Sequence, residues 1–336
     1  MKKTVLCVLC ILLSFAFVMP FSSCRNEERQ EKNFFFMNTP ISVTLYTDRK
    51  TAERIFDDCR QILSTYDALW SRTVAESDIG RFNIAKNALK IDGCTASLIA
   101  QAIDVSQKTD GAFDITVAPI INLWQACEER GTLPTNGEMQ VALSLVGSQN
   151  IALSGNVLTK SEQDVQIDLG GIGKGAAISA LIEYLERCDI RGGLVSFGSN
   201  VAVFGGKPDG EPYRIALKNP KTENGYAGIL KLQAGQVLAV SGDYERYYSI
   251  DGKKYHHIID PQTGYPSESG LCSVAVICSN GALADALSTA LFVMGEEVAR
   301  SFYESKVYDF EAIFIGQNGN VTVTAGLADS FETKKS

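Results

Sequence analysis

The stretch VQIDLGGIGKGAAISALIEYLER, residues 165–187, decides the fold because it joins a predicted strand to a predicted helix through a glycine turn. Apolar and polar residues alternate over 165–169, which is the period-two pattern of a strand with one buried face. Four glycines follow between positions 170 and 175. Apolar residues then recur at helical spacing from Ala176 to Leu185, among good helix formers. The sequence therefore predicts a strand, a tight turn and a helix in immediate succession.

The glycine turn has the chemistry of a phosphate site. Glycine lacks a Cβ atom, so backbone groups in the turn can approach a ligand closely. The helix N-terminus behind the turn carries roughly half a positive charge, and Lys174 adds a full one. A tight strand-to-helix connection without a ligand explains the same residues equally well. A nucleoside-triphosphatase loop is excluded, because the glycine spacing differs and no Ser or Thr follows the Gly-Lys pair.

Composition and charge exclude several classes of protein. The chain has 336 residues, 45% of them apolar, which is enough for one large domain or two modest ones that share a core. The net charge is −8 and no basic run occurs, so we expect no nucleic-acid partner. The two histidines, His256 and His257, are too few for a zinc site built on several imidazoles. The cysteines after Cys24 form no CxxC pair, so buried free thiols are the default expectation.

Helical periodicity is concentrated in the first half of the chain, at 51–70 and 95–108. The polar residues 71–83 indicate a connection, and 128–156 is rich in turn residues. Strand patterns dominate the second half, and the clearest of them are 213–218, 228–233, 237–241 and 271–278. Helices early and strands late favour an α+β fold with antiparallel sheets and packed helices.

The N-terminus carries an export signal. Lys2 and Lys3 precede an apolar run, so residues 1–23 are predicted to be a signal peptide. Two serines directly before Cys24 match a bacterial lipoprotein cleavage box, which predicts a lipid on Cys24 and a charged, solvated tether over 24–33. The protein would then be an exported lipoprotein on the periplasmic face of a bacterial membrane, with the inner membrane favoured. An uncleaved anchor and a simply secreted protein are the alternatives.

Residues 280–295, NGALADALSTALFVMG, predict a helix that carries metal ligands. Asp285 and Thr289 are four residues apart and therefore share one face of the helix. A carboxylate and a hydroxyl are hard oxygen ligands, which suit Mg²⁺ rather than Zn²⁺. A backbone carbonyl of the turn 170–173 could supply a third protein ligand, with water and substrate phosphate completing the shell. Local hydrogen bonds of a helix-borne Asp and Thr are the alternative.

His257 is a candidate general base. The Asp251-Gly252 pair predicts a β-hairpin whose second strand covers 254–259. His256 and His257 would then point to opposite faces of that strand, so at most one of them faces a given site. Histidine is the usual general base for activating a hydroxyl. A histidine exposed to solvent or packed in the core is the alternative.

Seven motifs follow one another along almost the whole mature chain. They are MNT at Met37, S-x-I-x-R-x-N at Ser77, GAFDITVAPIINLW at Gly111, IDLGGIGKG at Ile167, SGDYER at Ser241, HHIIDPQTGYP at His256 and ADALSTALFVMG at Ala284. In this order they resemble the FAD:protein FMN transferase (ApbE) family, and the last three are long and specific together. The resemblance implies an ApbE-like α+β fold related to the T-fold. It also implies a single domain over 34–330, made of two intertwined α/β parts with the active site in the cleft between them.

The resemblance implies a flavin-trafficking enzyme outside the cytoplasmic membrane. Such an enzyme would bind FAD and Mg²⁺, cleave the diphosphate, attach FMN through a phosphoester to a Thr or Ser of an acceptor protein, and release AMP. One alternative is an Mg²⁺-dependent FAD pyrophosphatase that yields FMN and AMP. Another is an FAD-binding lipoprotein without catalytic activity. The implied partners are thus FAD, an acceptor protein and the membrane.

Position by position, the resemblance implies a metal site made of Asp285, Thr289 and the carbonyl of Gly171. It implies His257 and Asp285 as catalytic residues. The implied flavin contacts are Met37, Ser71, Arg72, Thr73, Asp114, Lys174 and His257.

Two positions depart from the family pattern, and a third is a candidate for shaping the site. Asn38 replaces a glycine that is frequent between Met and Thr near the start. Thr73 replaces a frequent aromatic residue that stacks on the flavin, which predicts weaker FAD retention by about 0.5–1.5 kcal/mol of stacking energy. Asp243 in SGDYER is a weaker candidate for shaping the site.

Overall fold

The computed structural model describes residues 28–221 and 225–334, so the predicted signal peptide 1–23 and Cys24 lie outside the described part of the chain. Its helices are α1 (Arg49–Trp70), α2 (Asp78–Ile84), α3 (Gly93–Lys108), α4 (Ala118–Arg130), α5 (Asn136–Ser144), α6 (Gly173–Glu186) and α7 (Gly281–Glu304). Its strands are β1 (Arg29–Phe36), β2 (Thr39–Tyr46), β3 (Ala88–Lys90), β4 (Ile151–Ser154), β5 (Val157–Lys160), β6 (Gly192–Phe197), β7 (Asn200–Gly205), β8 (Tyr213–Lys218), β9 (Tyr226–Leu232), β10 (Val237–Gly242), β11 (Tyr247–Ile250), β12 (Lys253–His256), β13 (Leu271–Cys278), β14 (Glu311–Gly316), β15 (Val321–Val323) and β16 (Phe331–Thr333). None of the helices described has both the length and the apolarity to span a bilayer.

An antiparallel sheet forms the centre of the described structure, with the strand order β1-β2-β6-β7-β10-β13-β14-β15. Smaller antiparallel sheets have the orders β16-β9-β8 and β3-β5-β4, and β11 and β12 form a separate hairpin. Helices packed against antiparallel sheets confirm the predicted α+β class.

The two faces of the central sheet have different neighbours. Along β13, Val274 and Val276 pack in the apolar cluster that contains Leu287 of α7. Ala275 and Ile277 lie on the other face, in the cluster formed with the sheet β16-β9-β8. Every residue of β13 is therefore buried, which is why this strand appears in the sequence as a continuous apolar run.

A further apolar cluster joins α4 and α5 to the hairpin β11-β12. Its centre is Trp124, whose ring lies 5.7 Å from that of Tyr248 and 5.2 Å from that of Tyr255. The Trp124 indole N–H donates to the carbonyl of Gly264 at 2.8 Å. Because the hairpin is fixed to α4 in this way, the residues at its base, including His257, have a defined position.

The predicted strand over 165–169 is wrong. Val165, Ile167 and Leu169 are buried as the alternation predicts, but no strand pairs with them. The side chain of Asn83 takes the place of a neighbouring strand, because it donates to Ile167 O at 2.9 Å and accepts from Ile167 N at 2.8 Å. The segment is therefore extended and partly buried, but it lies outside every sheet of the described residues.

Two polar regions contain helices that the sequence did not predict. Within 71–83, α2 begins after Ser77, whose hydroxyl accepts a hydrogen bond from Gly80 N at 2.8 Å. Within 128–156, α5 begins with a capping box between Thr135 and Glu138. Both helices are too short to show clear helical periodicity, so their capping residues indicate them better than the spacing of their apolar residues does.

Three predicted boundaries also change. The end of the proposed tether, 29–33, belongs to β1, because Arg29 is already paired with Tyr46. The folded domain continues past residue 330, because β16 pairs with β9 as far as Thr333. The strand predicted over 254–259 ends at His256.

Candidate active site

A cleft of about 910 Å³ is lined by the β1-β2 turn, the end of α1, α4, the glycine turn, the hairpin β11-β12 and α7. This volume lies in the range of small-molecule sites, about 300–1,000 Å³. The residues that the resemblance implies as metal ligands, catalytic residues and flavin contacts all line this one cleft: Met37, Ser71, Arg72, Thr73, Asp114, Gly171, Lys174, His257, Asp285 and Thr289. The structure therefore brings the predicted set together, while the individual roles remain predictions.

The glycine turn and α7 meet at one end of the cleft. Thr289 Oγ1 lies 3.7 Å from the position that a Cβ atom of Gly171 would take. Lys174 connects the turn to Asp285, because its Nζ is 2.9 Å from Gly170 O and 3.4 Å from Asp285 Oδ1. The three predicted metal-ligand residues thus share one end of the cleft with the ammonium group of Lys174.

Asp285 is buried and held by two other elements. Its Oδ2 accepts from Gly175 N of α6 at 2.9 Å, and its Oδ1 accepts from Asn200 Nδ2 of β7 at 3.0 Å. The close approach of α6 and α7 requires glycine here: a Cβ at Gly175 would lie 2.0 Å from Gly281 O and 2.6 Å from the Asp285 Cβ. The carboxylate therefore sits at the positive N-terminal end of α6, where the helix dipole favours it.

The first amides of α6 are mostly occupied by the protein itself, so few of them are available to the phosphate that the glycine turn suggested as one alternative. Gly173 N donates to Leu169 O at 2.7 Å, and Gly175 N donates to Asp285. Lys174 Nζ is thus the main cationic donor that the turn presents to a bound anion.

The oxygen atoms at this end of the cleft fit a hard divalent cation. No three His, Cys, Asp or Glu side chains of residues 28–221 and 225–334 cluster as metal ligands, so a site here would combine a carboxylate, a hydroxyl and a peptide carbonyl. Asn200 Oδ1 is also buried and lacks a hydrogen-bond partner within these ranges, although its Nδ2 is bonded to Asp285. Such a set of neutral and anionic oxygens suits Mg²⁺.

Arg72 is engaged in a polar network on the cleft wall. Its Nε lies 2.7 Å from Asp168 Oδ2, its Nη1 donates to Asn122 Oδ1 at 2.6 Å, and its Nη2 donates to Gln125 Oε1 at 3.1 Å. Asp168 Oδ1 in turn accepts from Gly170 N at 2.5 Å. The network connects the loop after α1 to the glycine turn, so Arg72 positions the turn as well as lining the cleft.

Met37 enters the cleft from a turn with unusual backbone angles. Met37 and Asn38 have φ values of 52° and 53°, in the left-handed region that Asn tolerates and Met rarely adopts. Met37 N donates to Asp67 Oδ1 at 3.0 Å, and the Met37 Cε lies 3.1 Å from where a Cβ of Gly173 would be. Asn38 thus replaces the frequent glycine without loss of the turn, and the strain is localised beside the start of α6.

Asp114 lines the cleft with its carboxylate already satisfied. Its Oδ2 accepts from Ser106 Oγ at 3.0 Å, and its Oδ1 accepts from Thr116 N at 2.8 Å and from Thr116 Oγ1 at 2.6 Å. The side chain therefore fixes the loop before α4, and this role is independent of the predicted flavin contact.

Thr73 brings no aromatic ring to the cleft, but other residues do. Its Oγ1 lies 3.1 Å from Ser71 Oγ on the cleft wall. Phe35 and Tyr247 also line the cleft, with 66% and 46% of their surfaces exposed. Stacking surfaces for a planar ligand are therefore available at other positions than Thr73.

The two histidines diverge as predicted. His257 lines the cleft, whereas His256 lies outside its lining, with Nε2 3.0 Å from Ser267 O and its ring edge-on to Phe292. His257 Nδ1 is 3.1 Å from Arg246 O. Because a carbonyl can only accept, we assign the proton of the neutral ring to Nδ1, which leaves Nε2 as the acceptor. Burial, followed by the charge of Arg246, lowers the pKa of His257 to about 4, so the ring is neutral at neutral pH.

Of the two acidic residues in SGDYER, Glu245 lines the cleft, and the predicted Asp243 does not. Asp243 accepts from Gln317 Nε2 at 2.7 Å. Desolvation raises the pKa of Glu245, and the charge of Lys174 opposes this shift. The end of β10 at Gly242 marks the segment that leaves the sheet, but it does not distinguish Asp243 from Glu245.

The sequence profile of the ApbE family matches residues 37–314. The chain belongs to the ApbE family. This result confirms the resemblance that the seven motifs indicated. Proteins named FAD:protein FMN transferase are similar to this family member: that of Vibrio cholerae is 32% identical over 260 residues, covering 76% of this chain and 75% of the relative. That of Haemophilus influenzae is 32% identical over 283 residues, covering 81% and 82%.

Solved structures share the fold of this ApbE-family chain. The ApbE protein of Thermotoga maritima has a TM-score of 0.82 and 30% identity, and the match covers 89% of this chain and 98% of that one. The apo flavinyl transferase ApbE of Pseudomonas stutzeri has a TM-score of 0.80 and 30% identity, covering 92% and 98%. The predicted ApbE-like α+β fold is confirmed.

Proposed function

We propose that this ApbE-family chain is an Mg²⁺-dependent FAD:protein FMN transferase. It cleaves FAD, attaches FMN through a phosphoester to a Thr or Ser of an acceptor protein, and releases AMP. The observation that supports this best is the convergence of Asp285, Thr289, Gly171 and Lys174 at one end of a cleft of about 910 Å³. The relatives named FAD:protein FMN transferase support the same activity.

The charged end of the cleft is suited to a diphosphate. Asp285, Thr289 and the carbonyl of Gly171 would hold Mg²⁺, which when bound neutralises charge on the phosphate oxygens. Lys174 Nζ, held by Gly170 O and Asp285, adds a fixed positive charge beside them. Such preorganised charges are most effective where negative charge develops on the leaving AMP.

His257 supplies the base for the transfer step. The acceptor hydroxyl oxygen forms a bond to the phosphorus of the FMN half, and the bond from that phosphorus to the bridging oxygen breaks, so that AMP leaves. The hydroxyl proton moves to His257 Nε2, which is unprotonated because Nδ1 faces Arg246 O. A positioned base of this kind contributes roughly 10²–10⁴-fold to the rate.

An FAD pyrophosphatase is the second candidate, because Thr73 lacks the aromatic ring that often stacks on the flavin in this family. Weaker flavin retention would favour release of FMN to water over transfer to a protein. Water would then be the nucleophile, and the same charged end of the cleft would stabilise the leaving AMP. A lipoprotein that binds FAD without cleaving it is the non-catalytic alternative.

One assay separates these candidates. The full chain is incubated with FAD and an acceptor fragment that carries a Thr or Ser site, with Mg²⁺ or with EDTA, and the fragment is weighed by mass spectrometry. We expect a gain of one FMN with Mg²⁺ and none with EDTA, and AMP release that depends on the acceptor. Many turnovers of AMP without acceptor, and no mass gain with it, would identify a pyrophosphatase. If FAD stayed intact in every sample, only the non-catalytic FAD-binding protein would remain as a candidate.

We also propose that Cys24 carries a lipid that anchors the exported protein. β1 begins at Arg29, five residues after Cys24, so the anchor would hold the domain within about 17 Å of the membrane surface. Cys24→Ala is expected to move the protein from the membrane fraction to the soluble periplasmic fraction, because the lipid is lost. Transferase activity of the purified protein should stay unchanged, and an unaltered membrane fraction would contradict the anchor.

A further inference from the structure

We infer that Asn83 is a positioning residue, which holds the glycine turn in place for metal binding by pairing with the backbone of Ile167. The inference rests on the proposed function, because the turn carries Gly171. Asn83 closes the motif S-x-I-x-R-x-N that begins at Ser77, and none of the residues that this motif specifies lines the cleft. Direct contact with a ligand in the cleft therefore does not explain why the motif specifies these residues.

The carboxamide of Asn83 acts as a one-residue strand. Its Nδ2 donates to Ile167 O at 2.9 Å, and its Oδ1 accepts from Ile167 N at 2.8 Å. Both polar backbone groups of one residue are satisfied at once, as they are in a hydrogen-bonded antiparallel pair. Ile167 is four residues before Gly171, so the pair fixes the peptide planes that lead into the turn.

A buried lysine adds a second constraint on the same segment. Lys160 is 8% exposed, and its Nζ donates to Val165 O at 3.0 Å and to the backbone carbonyl of Asn83 at 3.3 Å. On the other side, Asp168 N donates to Ile115 O at 2.7 Å. These bonds take the place of sheet hydrogen bonds at residues 165, 167 and 168, and Asn83 takes part in those at Val165, through Lys160, and at Ile167.

The remaining motif residues fix the helix that carries Asn83. Ser77 caps α2 through Gly80 N at 2.8 Å and donates to Ser71 O at 2.5 Å, which ties α2 to the cleft wall. Arg81 forms an ion pair with Asp78 at 2.8 Å. The spacing of the motif thus places a cap, an ion pair and the terminal carboxamide on one short helix.

Loss of this carboxamide would loosen the segment that leads into the turn without touching Asp285 or Thr289, although Arg72 and Lys174 would still hold the turn at Asp168 and Gly170. The position of Gly171 would then be less restricted, and its carbonyl would be a less preorganised ligand for a bound ion. Replacement of a residue that orients metal ligands typically lowers the metal affinity about 10–100-fold. We expect a loss of roughly that size here.

The test uses the full chain and Mn²⁺ as the metal probe, measured by electron paramagnetic resonance without FAD. Asn83→Ala is expected to raise the Mn²⁺ Kd about 10-fold or more. It should also speed hydrogen exchange in the peptide that covers 165–171 and shift FMN transfer to higher Mg²⁺. Asn83→Asp keeps the acceptor for Ile167 N but places a second oxygen against Ile167 O, so its Mn²⁺ Kd should rise at least as much as that of Asn83→Ala. Ile315→Val is the destabilised control, because Ile315 is fully buried in the apolar cluster formed with the sheet β16-β9-β8. Its Mn²⁺ Kd should be unchanged.

The outcomes separate the inference from the proposed function. An unchanged Mn²⁺ Kd in both Asn83 variants, in a protein whose wild type binds Mn²⁺ and transfers FMN, would overturn the inference alone. An equal loss of affinity in Ile315→Val would overturn it as well, because the effect would then follow general destabilisation. A wild type that binds no Mn²⁺ would overturn both the metal part of the proposed function and the role of Asn83.

Discussion

Asp285→Asn is expected to lower the rate of FMN transfer at least about 100-fold, because it removes the one carboxylate among the proposed metal ligands. The residue is 3% exposed, and its neighbours at both oxygens are donors: Gly175 N, Asn200 Nδ2 and Lys174 Nζ. An amide in that place puts its NH₂ group against a donor whichever way it is turned. Some loss of stability is therefore expected too, about 1–3 kcal/mol for one unsatisfied buried group.

The measurement is the mass gain of the acceptor fragment over time, with circular dichroism to verify the fold. Asp243→Asn is the matched control, because Asp243 carries the same carboxylate but lies outside the cleft lining and contacts Gln317. We expect the control to transfer FMN at close to the wild-type rate. Near-normal transfer by a folded Asp285→Asn variant would exclude Asp285 from the metal site.

The parts of the fold that the sequence predicted well are those whose partners are regular backbone. The strands 213–218 and 271–278 have the predicted bounds, because alternation or a continuous apolar run reflects burial between layers. Residues 165–169 show the same alternation of burial, yet they form no strand. Their partner is the side chain of Asn83, which a period-two pattern cannot reveal because that pattern records burial and not hydrogen bonding.

A similar distinction separates the predictable and unpredictable parts of the site. Asp285 and Thr289 lie one helical turn apart, so a local spacing was enough to place both side chains at one end of the cleft. The use of Gly175 N by Asp285, 110 residues away in sequence, depends on how α6 packs on α7. No local pattern distinguishes a helix N-terminus that is free for phosphate from one that is occupied by a carboxylate.

His257→Ala is expected to lower kcat for FMN transfer roughly 10²–10⁴-fold with a smaller change in KM for FAD, because the imidazole accepts the proton of the acceptor hydroxyl. His256→Gln is the control: this neighbouring histidine bonds to Ser267 O and lies outside the cleft lining. Both variants are assayed by acceptor mass and by AMP release without acceptor. If His257→Ala lost transfer no more than His256→Gln did, His257 would not be the base.

The pH profile gives an independent test of the same assignment. Burial lowers the pKa of His257 to about 4, so kcat/KM, which reports the free enzyme, should rise as the pH increases through about 4 and be level near neutrality. The unfolded chain titrates near 6.5, so burial of His257 contributes stability above that pH, which is lost as the pH falls toward about 4. Circular dichroism at each pH must therefore separate titration from unfolding.

The negative charge of bound FAD should raise the pKa of the ring, so the inflection in kcat should lie at higher pH than that in kcat/KM. A His257→Ala profile that kept both inflections would assign them to another group, such as Glu245, a carboxyl of the cleft lining whose pKa is raised by burial.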